Sequence, residues 1–229
     1  MQKLNNIMYS KDLKKAYPLP GGDVFWALKG IDVEIPESKL TILKGRSGSG
    51  KTTLMNMLGA LDEATQGQVV LDGQDICSLS EENRTLLRRS TMGFVFQSVA
   101  LIPMMTAREN VEYALRLSGW KGDRAARTER CLELVGLSKR AAHMPAELSG
   151  GEQQRVAIAR AIAHMPKIVF ADEPTGELDT NTALQVVKIF RKLCSEDGVT
   201  ILMTTHDKGF MDIGDKVYEM EDGEIVGGS

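Results

Sequence analysis

The sequence predicts an α/β fold: a parallel-sheet core, a small antiparallel β subdomain and an inserted helical subdomain. Three observations carry the prediction. Leu40-Thr41-Ile42-Leu43, Ile168-Val169-Phe170-Ala171 and Val199-Thr200-Ile201-Leu202-Met203-Thr204 are short, continuous apolar or β-branched runs, as in strands buried on both faces of a parallel sheet. Stretches with apolar residues at helical spacing lie between these runs. Near the start, runs broken by Pro18, Pro20, Gly21 and Gly22 read instead as short antiparallel strands.

Taken in order, residues 1–40 supply that antiparallel element, and Val69-Val70-Leu71-Asp72-Gly73 adds a hairpin to it. Residues 40–43 form a strand, and the segment from Thr52 to Ala60 reads as a helix through Leu54, Met55, Met57 and Leu58. The middle of the chain is mostly helical. Ala107 to Leu117 places Val111, Ala114 and Leu115 at helical spacing, and Cys131 to Leu137 continues the pattern. Ser149 followed by Glu152 is a capping box at the start of a further helix, with Val156, Ala159 and Ala163 on one face and Pro166 beyond its end. The 229 residues are read as one domain: 1–95 and 160–229 form the core with its antiparallel subdomain, and 96–159 form the helical insert. The segment from Ser98 to Thr106 is apolar for a connection. It reads equally well as buried core or as a half-exposed groove for a partner helix.

Gly45-Arg46-Ser47-Gly48-Ser49-Gly50-Lys51-Thr52-Thr53 fits G-x-x-x-x-G-K-[ST] between a strand and a helix. Gly45, Gly48 and Gly50 let the backbone bend and approach a ligand. The loop N–H groups, with those of Ser47, Ser49 and Thr53, then converge on phosphate at a helix N-terminus. Lys51 neutralises the β- and γ-phosphates, and the Thr52 hydroxyl is a ligand for Mg²⁺. The core is thus that of a P-loop nucleotide triphosphatase. Asp172 and Glu173 stand at the carboxyl end of the 168–171 strand, where open α/β sheets bind ligands. Asp172 is placed to reach Mg²⁺ through water, and Glu173 to polarise an attacking water.

Leu148-Ser149-Gly150-Gly151-Glu152-Gln153-Gln154-Arg155 resembles the signature of ABC transporter nucleotide-binding subunits, and the resemblance covers nearly the whole chain. It implies that ATP is both substrate and interface: the phosphate loop of one subunit and Ser149, Gly150 and Gly151 of the other hold it in a head-to-tail homodimer. Within the same resemblance, Gln97 after Phe94-Val95-Phe96 matches the Q-loop, a sensor of Mg²⁺ or water that couples to the membrane partner. Gly176-Glu177-Leu178-Asp179 matches the D-loop, with Glu177 where the family more often has a small or amide residue. His206 matches the switch histidine of the γ-phosphate. Tyr17 matches the aromatic that stacks on adenine, with Phe25 and Trp26 as nearby rivals. Phe94 to Gln97, Leu101-Ile102-Pro103, Thr106 to Val111 and Pro174-Thr175-Gly176 resemble the lipoprotein-release, macrolide-export and antimicrobial-peptide-resistance branch. That branch implies a few-span integral-membrane permease with an extracytoplasmic domain. The alternative is a regulatory ATPase that signals through a membrane partner without transport, as in cell-division relatives.

Composition bounds the rest. No apolar stretch approaches the ~20 residues that span a bilayer, and no N-terminal segment reads as a signal peptide. The expected location is therefore peripheral, on the cytoplasmic face of the cell membrane. Cys77, Cys131 and Cys194 are widely spaced, which fits a reducing compartment and argues against zinc. A net charge of −3 argues against general nucleic-acid binding. The absence of a long heptad insert argues against chromosome-structure relatives.

Overall fold

The computed structural model describes residues 5–228. The chain opens with two long strands, β1 (Asn6–Pro18) and β2 (Val24–Pro36), paired antiparallel across the Pro/Gly turn. These are thirteen residues each, so the short runs expected at the start are continuous strands. What broke the alternation is local: a register shift between Ser10 and Leu13, with Asp12 at φ 45°, puts a bulge in β1. β4 (Gln66–Leu71) and β5 (Gln74–Asp75), joined by the expected Asp72-Gly73 turn, complete a four-stranded sheet in the order β2-β1-β4-β5.

The second sheet holds β3 (Leu40–Lys44), β6 (Met92–Val95), β7 (Ile168–Ala171), β8 (Thr200–Thr205), β9 (Lys216–Glu221) and β10 (Glu224–Gly228). Its order is β10-β9-β3-β8-β7-β6, parallel throughout except for the β10 edge. Period-two alternation sends its side chains into two cores. Ile42, Val169, Ala171, Ile201 and Met203 face one way, against α3 (Ala107–Ser118), α4 (Arg124–Leu134), α5 (Gly150–Ile162) and α6 (Thr180–Asp197). Leu43, Ile168, Phe170 and Leu202 face the other way, against α1 (Lys51–Leu58) and the inner side of the antiparallel sheet. α2 (Glu81–Thr91) leads into β6.

The segment from Ser98 to Thr106 is not core: none of its residues is fully buried, and Met104 is 82% exposed. Its backbone is held from beneath instead. Asn110, fully buried, accepts from Ile102 N (2.8 Å) and donates to the carbonyls of Ile102, Met105 and Thr106. Arg160 donates to Val99 O and Ala100 O. With the polar backbone satisfied from within, Met104 is left facing out, while Leu101 packs against the core and Val99, Ile102 and Met105 are half-buried.

Candidate nucleotide site

The carboxyl ends of β3, β8, β7 and β6 lie side by side, and each leads into a predicted site residue. From β3 the chain turns into the Gly45–Thr53 loop and α1. Gly48 and Gly50 take φ of 81° and 103°. A Cβ on Gly50 would lie 2.8 Å from Ala27 O, whereas one on Gly48 would meet nothing within 4 Å. Close packing and a positive φ together dictate Gly50, and the left-handed crest of the loop alone dictates Gly48. α1 starts with no side-chain cap and no acidic residue in its first turn, so its N-terminal N–H groups remain available to an anion.

Lys51 is only 5% exposed. Its ammonium donates to Gly45 O (2.8 Å) and Arg46 O (3.0 Å) and pairs with Glu173 Oε1 at 3.6 Å. Its three donors therefore have two carbonyls and one carboxylate to meet. The Thr52 hydroxyl donates to Asp172 Oδ2 (3.0 Å). Glu173 follows at φ 43°, a left-handed conformation that costs a non-glycine residue about 1–3 kcal/mol. Glu173 Oε2 lies 3.0 Å from His206 Nδ1, just beyond β8.

Sequence reading passed over the residue that ties the acidic pair together. Thr204 Oγ1 donates to Asp172 Oδ1 (2.6 Å) and accepts from Glu173 N (2.8 Å). One hydroxyl thus orients both acids. The available signal was a hydroxyl in a fully buried strand, which demands a partner.

Gln97 follows β6 and reaches the neighbourhood of Gly176, 3.6 Å from where a Cβ there would stand. Tyr17, at the end of β1, is 37% exposed and donates to Asp62 Oδ2 (3.2 Å). Burial first, then Asp62, holds its phenol above the usual range, while Lys15 and the Thr53 hydroxyl act the other way. Of the three candidate aromatics, Tyr17 is the one bonded to Asp62, in the turn that leaves α1. Phe25 is its cross-strand neighbour, and Trp26 faces Ala16.

Ser149 and Asp179 do not join this cluster within one chain. Ser149 closes the predicted capping box, accepting from Glu152 N while Glu152 Oε2 accepts from Ser149 N (2.9 Å). That pairing holds the Glu152 carboxyl below its ordinary value of 4.5. The Asp179 carboxylate caps α6, accepting from Asn181 N, Thr182 N and Thr182 Oγ1. α5 and α6 meet closely at this point: a Cβ on Gly151 would overlap Thr182 Cγ2, and Arg155 donates to Gln185. The starts of α5 and α6 thus pack against each other, and no hydrogen bond among the described residues joins Ser149 or Asp179 to Lys51, Thr52, Asp172, Glu173 or His206.

The ABC transporter family pattern matches residues 28–176, well over half of the chain. The uncharacterized ABC transporter ATP-binding protein YknY of Bacillus subtilis is 44% identical over 216 residues, which cover 94% of this chain and 93% of that one. The macrolide export ATP-binding/permease protein MacB of Marinobacter nauticus is 46% identical over 200 residues, which cover 87% of this chain but only 31% of MacB. Among solved structures, the dimeric post-hydrolysis state of the cassette MJ0796, a Methanocaldococcus jannaschii protein, bound to ADP and Pi superposes with a TM-score of 0.89. It has 38% identity, and 97% of each chain is covered. The loop, the acidic pair, the signature helix and these likenesses agree: the chain belongs to the ABC transporter family, as an ATP-binding subunit that hydrolyses ATP and works with a membrane partner.

Proposed function

We propose that this subunit drives export or mechanical work by a few-span permease with an extracytoplasmic domain, from the cytoplasmic face of the membrane, as an ATP-bound head-to-tail dimer. The observation that carries the chemistry is the Lys51–Glu173–His206 cluster beside Asp172 and Thr52. The branch rests on the likeness to MacB, a macrolide export ATP-binding/permease protein. No helix among the described residues is long and apolar enough to cross a membrane. Residues 96–159 serve as the helical subdomain that meets the permease, offering the half-exposed Ser98–Thr106 segment.

The donor set suits Mg²⁺. A hydroxyl and a carboxylate 3.0 Å apart are hard oxygen ligands, and Gln97 offers a third oxygen. No group of three His, Cys, Asp or Glu side chains among the described residues could hold a metal ion by itself, and phosphate oxygens would complete the shell. When bound, the ion neutralises charge on the β- and γ-phosphates.

The residues divide the remaining work. The triphosphate takes over Lys51 from Glu173, with Gly45, Ser47, Gly48, Ser49, Gly50, Thr52 and Thr53 around the phosphates. Released from the ammonium, Glu173 accepts the proton of the attacking water. His206 holds Glu173 in place and contacts the γ-phosphate. Ser149, Gly150 and Gly151 close the site from the second subunit, and Asp179 sets the start of α6 beside them. Tyr17 stacks on adenine.

The test is affinity capture of tagged Glu173→Gln from native membranes with ATP. We expect a few-span protein with a large extracytoplasmic domain to co-purify. A many-span permease, or soluble proteins alone, would overturn the export assignment.

A further inference from the structure

We infer that Lys15 and Asp62 are positioning residues for the nucleobase: together they clamp the Tyr17 ring in a fixed orientation and leave one face open for stacking. The inference rests on the reading of Tyr17 as the stacking aromatic.

Lys15 and Tyr17 are two apart on β1 and share a face of the strand. Lys15 is buried, and its ammonium donates to Asp62 Oδ1 (2.9 Å) and Glu63 O (2.7 Å). The same nitrogen stands 5.0 Å from the centre of the Tyr17 ring. Asp62 Oδ2 accepts from the Tyr17 hydroxyl, and Asp62 Oδ1 also accepts from Glu63 N (2.7 Å). One ring face is thus taken by a cation and one edge by a carboxylate.

The anchor is well placed. Leu61 N and Asp62 N both donate to Asn56 O, so Asp62 belongs to the turn that leaves α1. The N-terminus of that helix is the phosphate loop. The clamp therefore ties the base platform to the element that grips the phosphates, and sets the spacing between the two ends of the nucleotide. A ring already immobile loses little freedom on binding, which is the advantage of preorganisation. The ammonium on one face also draws electron density from the ring, favouring an electron-rich purine on the other. No group of the clamp reads a base edge, so it supports adenine and guanine alike.

The test is calorimetric titration of ATP, GTP and inorganic tripolyphosphate into the full chain, wild type and variants. Asp62→Asn should weaken ATP and GTP about three- to tenfold, the range expected for one unrestrained side chain, and leave tripolyphosphate unchanged. In a Tyr17→Ala background the same substitution should have no further effect. Because Asp62→Asn leaves a buried ammonium without its carboxylate, Lys15→Met/Asp62→Asn is the second variant and should show the same selective loss. An equal loss for tripolyphosphate, or an additive effect in the Tyr17→Ala background, would overturn the clamp. So would wild-type ATP affinity in both clamp variants while Tyr17→Ala is weakened. If Tyr17→Ala itself binds ATP normally, the stacking reading fails and the clamp falls with it.

Discussion

Thr204 shows how a site depends on a residue that no motif names. Its hydroxyl is the shared partner of Asp172 Oδ1 and the Glu173 amide. Thr204→Val keeps the shape of the strand but leaves the Glu173 N–H unpaired and lets Asp172 rotate. A hydrogen bond to a charged group contributes about 1.5–3 kcal/mol. We therefore expect kcat for ATP hydrolysis to fall about 10- to 100-fold, with a smaller change in KM; steady-state kinetics at saturating ATP checks this. At this scale the sequence was legible wherever a motif fixes spacing, as for Gly45 to Thr53 and for Asp172 and Glu173. It was silent on Thr204, because β8 is far from β7 in sequence and only the parallel pairing of Ala171 with Met203 brings the two strand ends together. The left-handed Glu173 was equally invisible, since nothing in Asp172-Glu173-Pro174 requires φ > 0.

At the scale of elements, periodicity told more than composition. The strands at 40–44, 168–171 and 200–205 and the helix at 107–118 were legible from their apolar spacing. The capping box of α5 was legible from Ser149 and Glu152 alone. Residues 98–106 were not, because an apolar loop and a core segment share a composition. What separates them is where the backbone finds partners, and those partners, Asn110 and Arg160, lie outside the segment. Asn110→Ala removes one buried acceptor bond and three donor bonds at once. With a buried polar group left unpaired costing about 1–3 kcal/mol, the variant should lose roughly 2–4 kcal/mol of stability, read as an earlier midpoint in urea. The bulged hairpin at the start was also hard to read, because the shift near Asp12 moves the alternation out of phase within one strand.

At the scale of the whole molecule, the helical core shields two of the three cysteines from solvent. Cys131 and Cys194 are buried, and burial pushes their thiols up to about 11 and about 12. Cys77 is exposed. A maleimide should therefore label one thiol in the native protein and three after denaturation, as counted by intact mass. The linkage sign follows from the same shifts. A folded-state value above the ordinary 9.0 gives stability that is complete below pH 9 and is lost as pH rises toward 11–12. The denaturation midpoint should thus fall across that window, and less so in Cys131→Ser/Cys194→Ala than in the wild type. On the proposed reading, one chain half-encloses the nucleotide at the start of α1, and a second copy supplies the start of α5. The most direct measurement is the mass of Glu173→Gln in solution by light scattering. With ATP and Mg²⁺ it should run at twice the mass of one chain, with ADP at the mass of one chain, and Ser149→Arg in the same background should stay single with either nucleotide. A Glu173→Gln variant that binds ATP yet remains a single chain would contradict the shared-nucleotide dimer.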